Sequence, residues 1–107
     1  NDRISGHFVF GHVDGIVIIE DIEKLNDCEK WNIKIPSNLR KYIAKKGSIS
    51  LNGVSLTVNS IESDILSVNL IPFTLRHTTF QYNKIGESLN VEIDMLARYV
   101  DQSIINK

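Results

Sequence analysis

KGSISLNGVSLTV, residues 46–58, alternates apolar and polar side chains on both sides of an Asn-Gly pair. A two-residue period is what a half-buried strand requires, because successive side chains leave opposite faces. Gly53 breaks the run into two strands, SISL and VSLTVNSI, with Asn52 in the turn before the glycine. If Val54, Leu56 and Val58 face inward, Ser55, Thr57 and Asn59 must face outward. Such a polar row is either a solvated exterior or a surface made for a polar ligand.

Working outward, further short strands are separated by turn signals. Phe8–Phe10 is a short strand broken at Gly11. Asp14-Gly15 marks a turn or bulge ahead of the β-branched run Ile16–Ile19. WNIKI, residues 31–35, alternates and stops at Pro36. Ser37 is placed to cap a helix over 38–45, whose Leu39, Tyr42 and Ile43 form one apolar stripe and whose C′ residue is Gly47. ILSVNLI ends at Pro72, a helical turn capped by Thr74 follows, and SLNVEID alternates again from Ser88. A last helix spans about 95–104, with Leu96, Tyr99 and Val100 on one side. Strands this short, joined by turns, predict a mainly β fold: a six-stranded antiparallel Greek-key barrel with a short internal helix and a C-terminal helix.

Composition narrows the function classes. At 107 residues the chain is one domain, 42% hydrophobic and 23% charged. A net charge of −1 and an aromatic content of 7% argue against a nucleic-acid surface, which needs basic tracks or stacking platforms. No apolar run is long enough to cross a membrane. The single cysteine, Cys28, lies among charged neighbours in a loop and fits a reducing, cytoplasmic compartment. No P-loop or dinucleotide fingerprint is present.

Candidate chemistry is sparse. His7 and His12 flank a glycine break without a carboxylate or cysteine pair to complete a metal site, so no metal is expected. His12 is better placed as a proton-transferring or hydrogen-bonding imidazole. Ser55 and Thr57 suit hydrogen bonds to a polar ligand, and Lys46 suits an anionic or polyhydroxy group. From the residues alone the reading ends at a small barrel with one polar strand face.

Four segments carry a resemblance: GHFVFGHVDG (residues 6–15), KGSISLNGVSLTV (46–58), LIPFTLRHTT (70–79) and GESLNVEIDMLARYV (86–100). In order and spacing they resemble the second, lumazine-binding barrel of the riboflavin synthase family. The resemblance implies two barrels in tandem and a helix, assembled as a homotrimer. Each site lies between the first barrel of one subunit and the second of its neighbour. It implies a cofactor-free dismutation of two 6,7-dimethyl-8-ribityllumazines into riboflavin and 5-amino-6-ribitylaminouracil. Ligand contacts then fall on Gly11, His12 and Val13, on Lys46, on Ser55, Leu56 and Thr57, and on Asn69, Leu70, Ile71, Pro72, Phe73 and Thr74. His12, Ser55 and Asn52 are the catalytic candidates.

Two departures bear on this expectation. Asn52 stands where the family often has aspartate; an amide cannot accept a proton at neutral pH, so Asn52 orients the site or supports its turn. Ser55 stands where the family's first barrel has cysteine, which marks a second barrel. The resemblance divides the chain into a linker from an N-terminal barrel (1–6), the barrel (7–94) and a shortened terminal helix (95–107). With one barrel of two, weak or no turnover is expected. The competing function is a non-catalytic lumazine- or flavin-binding antenna protein.

Overall fold

A computed structural model of the chain describes residues 13–93. The strand expected at Phe8–Phe10 and the helix expected over 95–104 lie outside the described residues.

Six strands close into one antiparallel barrel. They are β1 (Gly15–Lys24), β2 (Glu29–Lys34), β3 (Ser48–Leu51), β4 (Val54–Glu62), β5 (Ile65–Leu70) and β6 (Ser88–Ile93), in the spatial order β1-β2-β5-β4-β3-β6. β3, β4 and β5 form a meander, and the chain then crosses an end of the barrel to lay β6 beside β3, which is the Greek-key path. Among the described residues, closure leaves no free sheet edge to pair with another chain.

Alternation along each strand fills the interior. Val17 and Ile19, Trp31 and Ile33, Ile49 and Leu51, Val58, Leu66, Val68 and Leu70, and Leu89, Val91 and Ile93 are buried together. Two bulges break the period. β1 shifts register between Ile19 and Asp21, and β4 between Val58 and Ser60. An extra residue flips every later side chain, so Ile22 and Ile61 return to the core although simple alternation would turn them out.

The barrel's ends are sealed by the connections. After β2, a 3₁₀ helix over Ser37–Tyr42 folds Leu39 into one end. Arg40 pins it by donating from Nε to the Ser63 carbonyl in the β4–β5 turn, 3.0 Å away. At the other end, α1 (Pro72–Arg76) and a 3₁₀ turn (Thr79–Tyr82) bring Phe80 edge-on to Trp31, centroids 5.5 Å apart.

Several local expectations are corrected. The helix expected over 38–45 is this shorter 3₁₀ turn, flanked by Pro36 rather than capped by a Ser37 hydroxyl. Proline already sets the extended entry angle, and nothing donates to a serine there. The left-handed residue after it is Lys46 (φ 74°), not Gly47. Gly47 is needed for close approach, since a Cβ would sit 3.0 Å from the Ala44 carbonyl oxygen. Thr74 does not cap; the hydroxyl of Thr78 accepts from the Phe80 N–H and donates to the Thr74 carbonyl. β1 runs on to Lys24, and β2 begins at Glu29, because the hairpin between them extends past its apolar segments.

Candidate ligand groove on the barrel exterior

The outward row of β4 becomes a groove where β5 leaves the barrel. Ser55, Thr57 and Asn59 are exposed, whereas Val58 is fully buried. A groove of about 340 Å³ is lined by Lys46, Ser55, Leu56, Thr57 and Asn59, with Asn69, Ile71 and Thr74 across from them. That volume suits a small organic molecule.

Each wall has a local cause. Asn59 continues the outward alternation of Ser55 and Thr57, which sets its carboxamide beside the hydroxyl row, and the bulge after Val58 affects only the residues that follow. Asn69 is the outward residue next to buried Leu70, the last of β5. Pro72 at the first helical position stops the strand and starts α1, leaving Ile71 extended and 53% exposed as an apolar wall. Thr74 follows within α1.

Lys46 enters through strained backbone. Its N–H donates to the Val58 carbonyl at 2.8 Å, and the Val58 N–H donates to the Gly47 carbonyl at 2.8 Å. This clamp holds Lys46 left-handed, a conformation that costs a non-glycine residue on the order of 1 kcal/mol and recurs at binding sites.

The polar groups of this wall are available. Among the described residues, the side chains of Lys46, Ser55, Thr57, Asn59 and Asn69 make no hydrogen bond or ion pair. The contrast lies a few residues on, where the Ser60 and Ser67 hydroxyls bond each other at 2.7 Å. One stretch of exterior satisfies itself; the other presents donors and acceptors around an apolar floor.

Not every expected contact joins this groove. Gly11 and His12 lie outside the described residues. Val13, 53% exposed, precedes Asp14, whose carboxylate accepts from the Ile93 N–H at 2.7 Å. Leu70 faces the interior, so only its backbone can reach a ligand. Pro72 lines a separate hollow with the Cys28 loop. Phe73 stacks on His77, ring centroids 4.1 Å apart, away from the groove. The Ile71 carbonyl accepts from the Leu75 N–H at 3.0 Å.

Asn52 works on the fold. With Gly53 it makes a two-residue turn in which both residues have positive φ (49° and 83°). Its carboxamide oxygen accepts from the Asn90 N–H at 2.7 Å, and its own N–H donates to the Asn90 carbonyl at 2.8 Å. Asn52 thereby ties the β3–β4 hairpin to β6 and does not line the groove. Among the described residues no cluster of His, Cys, Asp or Glu is arranged to hold a metal, and no helix is long and apolar enough to cross a membrane.

A closed Greek-key barrel whose interior is packed, and whose outer wall offers an unsatisfied polar groove, defines a small-molecule-binding barrel. The chain belongs to the lumazine-binding domain family, whose model matches residues 10–94. It is 40% identical to the riboflavin synthase of Bacillus subtilis (strain 168) over 94% of its own length and 46% of that protein's. It is 43% identical to the riboflavin synthase of Brucella abortus (strain 2308) over 92% of its own length and 48% of that protein's. The chain spans about half the length of the curated relatives it matches. Among solved structures it is similar to LumP complexed with riboflavin (TM-score 0.75, 30% identity, 78% of this chain and 46% of that one). It is similar also to LumP complexed with 6,7-dimethyl-8-(1'-D-ribityl) lumazine, with a TM-score of 0.71 and 29% identity over 78% of this chain and 46% of that one.

Proposed function

We propose that this barrel is the C-terminal ligand-binding unit of a riboflavin synthase. It holds one 6,7-dimethyl-8-ribityllumazine on its outer wall. The N-terminal barrel of a neighbouring subunit presents the second, within a cytoplasmic trimer of tandem-barrel chains. The observation that carries this reading is the groove itself: unpaired hydroxyls, two carboxamides and an ammonium arranged around Leu56 and Ile71.

The chemistry follows from that set. A lumazine has a flat bicycle with an imide-like edge and a polyol chain. The Asn59 and Asn69 carboxamides each offer a donor and an acceptor, which an imide edge can meet. Ile71 supplies an apolar surface for the ring face. Ser55, Thr57 and Lys46 hydrogen-bond chain hydroxyls or ring carbonyls. Dismutation needs a proton removed from the C7 methyl of one lumazine and nucleophilic addition at C7 of the other. His12 is the proton carrier in this reading, since an imidazole titrates near neutrality. Ser55 orients the reacting ring beside it. Asn52, lacking a titratable group, acts by fixing the hairpin that carries Ser55. No cofactor is required.

One barrel supplies one wall of a two-walled site, so the 107-residue chain should bind lumazine without turning it over. Titration with 6,7-dimethyl-8-ribityllumazine, following ligand fluorescence and riboflavin absorbance together, tests this. Binding without product is expected. Absence of binding would sink the reading, and turnover would mean that two identical barrels make a working site. The likeness to LumP complexes favours a second reading, retention of the chromophore without catalysis. Steady consumption of lumazine by the full-length protein would exclude that alternative.

A further inference from the structure

The inner face of the β1–β2 hairpin ends on a charged pair. Beyond Ile22 and Trp31, which oppose each other, the next inward positions are Lys24 and Glu29, also in register. With Phe80, which closes this end of the barrel, they line a hollow of about 240 Å³ that shares no residue with the ligand groove. Among the described residues no ion pair joins Lys24 and Glu29. The Glu29 carboxylate turns instead to the indole, where one oxygen accepts from Trp31 Nε1 at 3.0 Å and the other is left open.

The remaining polar side chains of the hollow have spent their donors. Gln81 Nε2 donates to the Arg76 and Thr78 carbonyls, at 3.1 and 3.3 Å, which leaves its Oε1. Asn83 Nδ2 donates to Glu87 at 3.0 Å, while Asn83 Oδ1 is buried with no partner among the described residues. A buried acceptor without a donor is costly and rare. Side-chain acceptors thus gather above apolar walls from Ile22 and Leu75, with one exposed ammonium, Lys24, at the rim.

We propose that this hollow binds a free α-amino acid with an apolar side chain, independently of any lumazine in the groove. A primary ammonium carries three N–H donors, and Glu29, Gln81 and Asn83 offer an acceptor to each. The carboxylate of the same molecule meets Lys24, and its side chain lies on Ile22 and Leu75. A simple amine meets repulsion from Lys24, and a simple acid meets repulsion from Glu29. A zwitterion answers both charges. The volume fits a ligand of this size, since it lies below the roughly 300–1,000 Å³ of sites for drug-sized molecules.

Trp31 is the one tryptophan, so its indole N–H gives a single resonance in a proton–nitrogen correlation spectrum, and that proton is the one held by Glu29. Leucine, isoamylamine and N-acetylleucine share an isobutyl body. The first carries both charges, the second only the ammonium and the third only the carboxylate. Titrated into the 107-residue chain, leucine should shift the indole resonance saturably. Isoamylamine should bind about threefold more weakly, the worth of an exposed ion pair. N-acetylleucine should bind about tenfold more weakly or worse, as loss of a charge-assisted hydrogen bond predicts. Lys24→Met should abolish the preference for leucine over isoamylamine; Lys24 is exposed, so this variant leaves the core intact. Glu29→Gln keeps an acceptor for the indole and should weaken leucine about tenfold. No saturable shift with leucine would overturn the site. Equal binding of leucine and isoamylamine to the unmodified chain, or a leucine affinity that neither variant changes, would overturn it as well.

Discussion

Lys46 shows how a single residue couples stability to function. A lysine at φ 74° carries strain that glycine would not. Lys46→Gly relieves roughly 1 kcal/mol of it but frees the unfolded chain by roughly 0.5–1 kcal/mol. The unfolding free energy from urea titration, read from the emission of the one tryptophan, Trp31, should therefore stay within about 0.5 kcal/mol of the original. Ligand affinity should fall, because the ammonium at the groove is gone. A large loss of stability would show that the Lys46 side chain supports the fold. Lys46 was legible as a candidate from its place in the motif. Its left-handed backbone was not, since the glycine beside it is the residue a sequence reader assigns to that conformation.

Hairpins and connections are the elements on which the groove depends. The Asn52-Gly53 turn has the paired positive φ angles that match the natural twist of two strands. Nothing lies within 4 Å of a Cβ added at Gly53, so Gly53→Ala costs only backbone strain, about 1 kcal/mol or slightly more. Chemical denaturation should show that loss. It should come with weaker ligand binding, because the turn sets the register of Ser55.

The connection into β6 has a pH-dependent clasp. The Glu87 carboxylate accepts from the Asn83 side chain and the Lys84 N–H, both at 3.0 Å, and these bonds hold its pKa below the ordinary 4.5. A depressed folded pKa means that the stabilisation is complete above the unfolded value and is lost as pH falls through the folded one. Urea midpoints of the protein and of Glu87→Gln should differ at pH 7 and converge under acid, below about 4.5. A constant gap across that range would mean that the carboxylate charge has no part in the clasp.

At the scale of the whole molecule, the barrel is a packed core with its ligand surface outside. Phe80 is 1% exposed and seals one end against Trp31. Phe80→Ala should cost about 3–5 kcal/mol, a large share of the 5–15 kcal/mol that holds a domain of this size together. Thermal unfolding should shift accordingly; a small shift would mean that the end is closed by α1 alone. The groove lies on the opposite side of the sheet from this core, so Ser55→Ala should alter binding and leave the melting temperature nearly unchanged.

The sequence by itself determined where the strands lie and their faces up to the two bulges. A period of two in KGSISLNGVSLTV, WNIKI and SLNVEI states which residues are buried, and Asn-Gly states where the chain reverses. Local chemistry suffices for both, because alternation and turn preference are properties of neighbouring residues. It also placed Lys46, Ser55, Thr57, Asn69, Ile71 and Thr74 as candidates, through a motif spread over three segments. Only the tertiary structure decided which of them share a groove, since that depends on β5 pairing with β4 and on where Pro72 releases the chain. The bulge that turns Ser60 outward and Ile61 inward, the bond that takes Asn52 to Asn90, and the alignment of Ser50 between Ser55 and Glu92 belong to the same class. Each is a relation between residues distant in sequence. Hydrogen bonding across a closed sheet fixes such relations, and no local pattern encodes them.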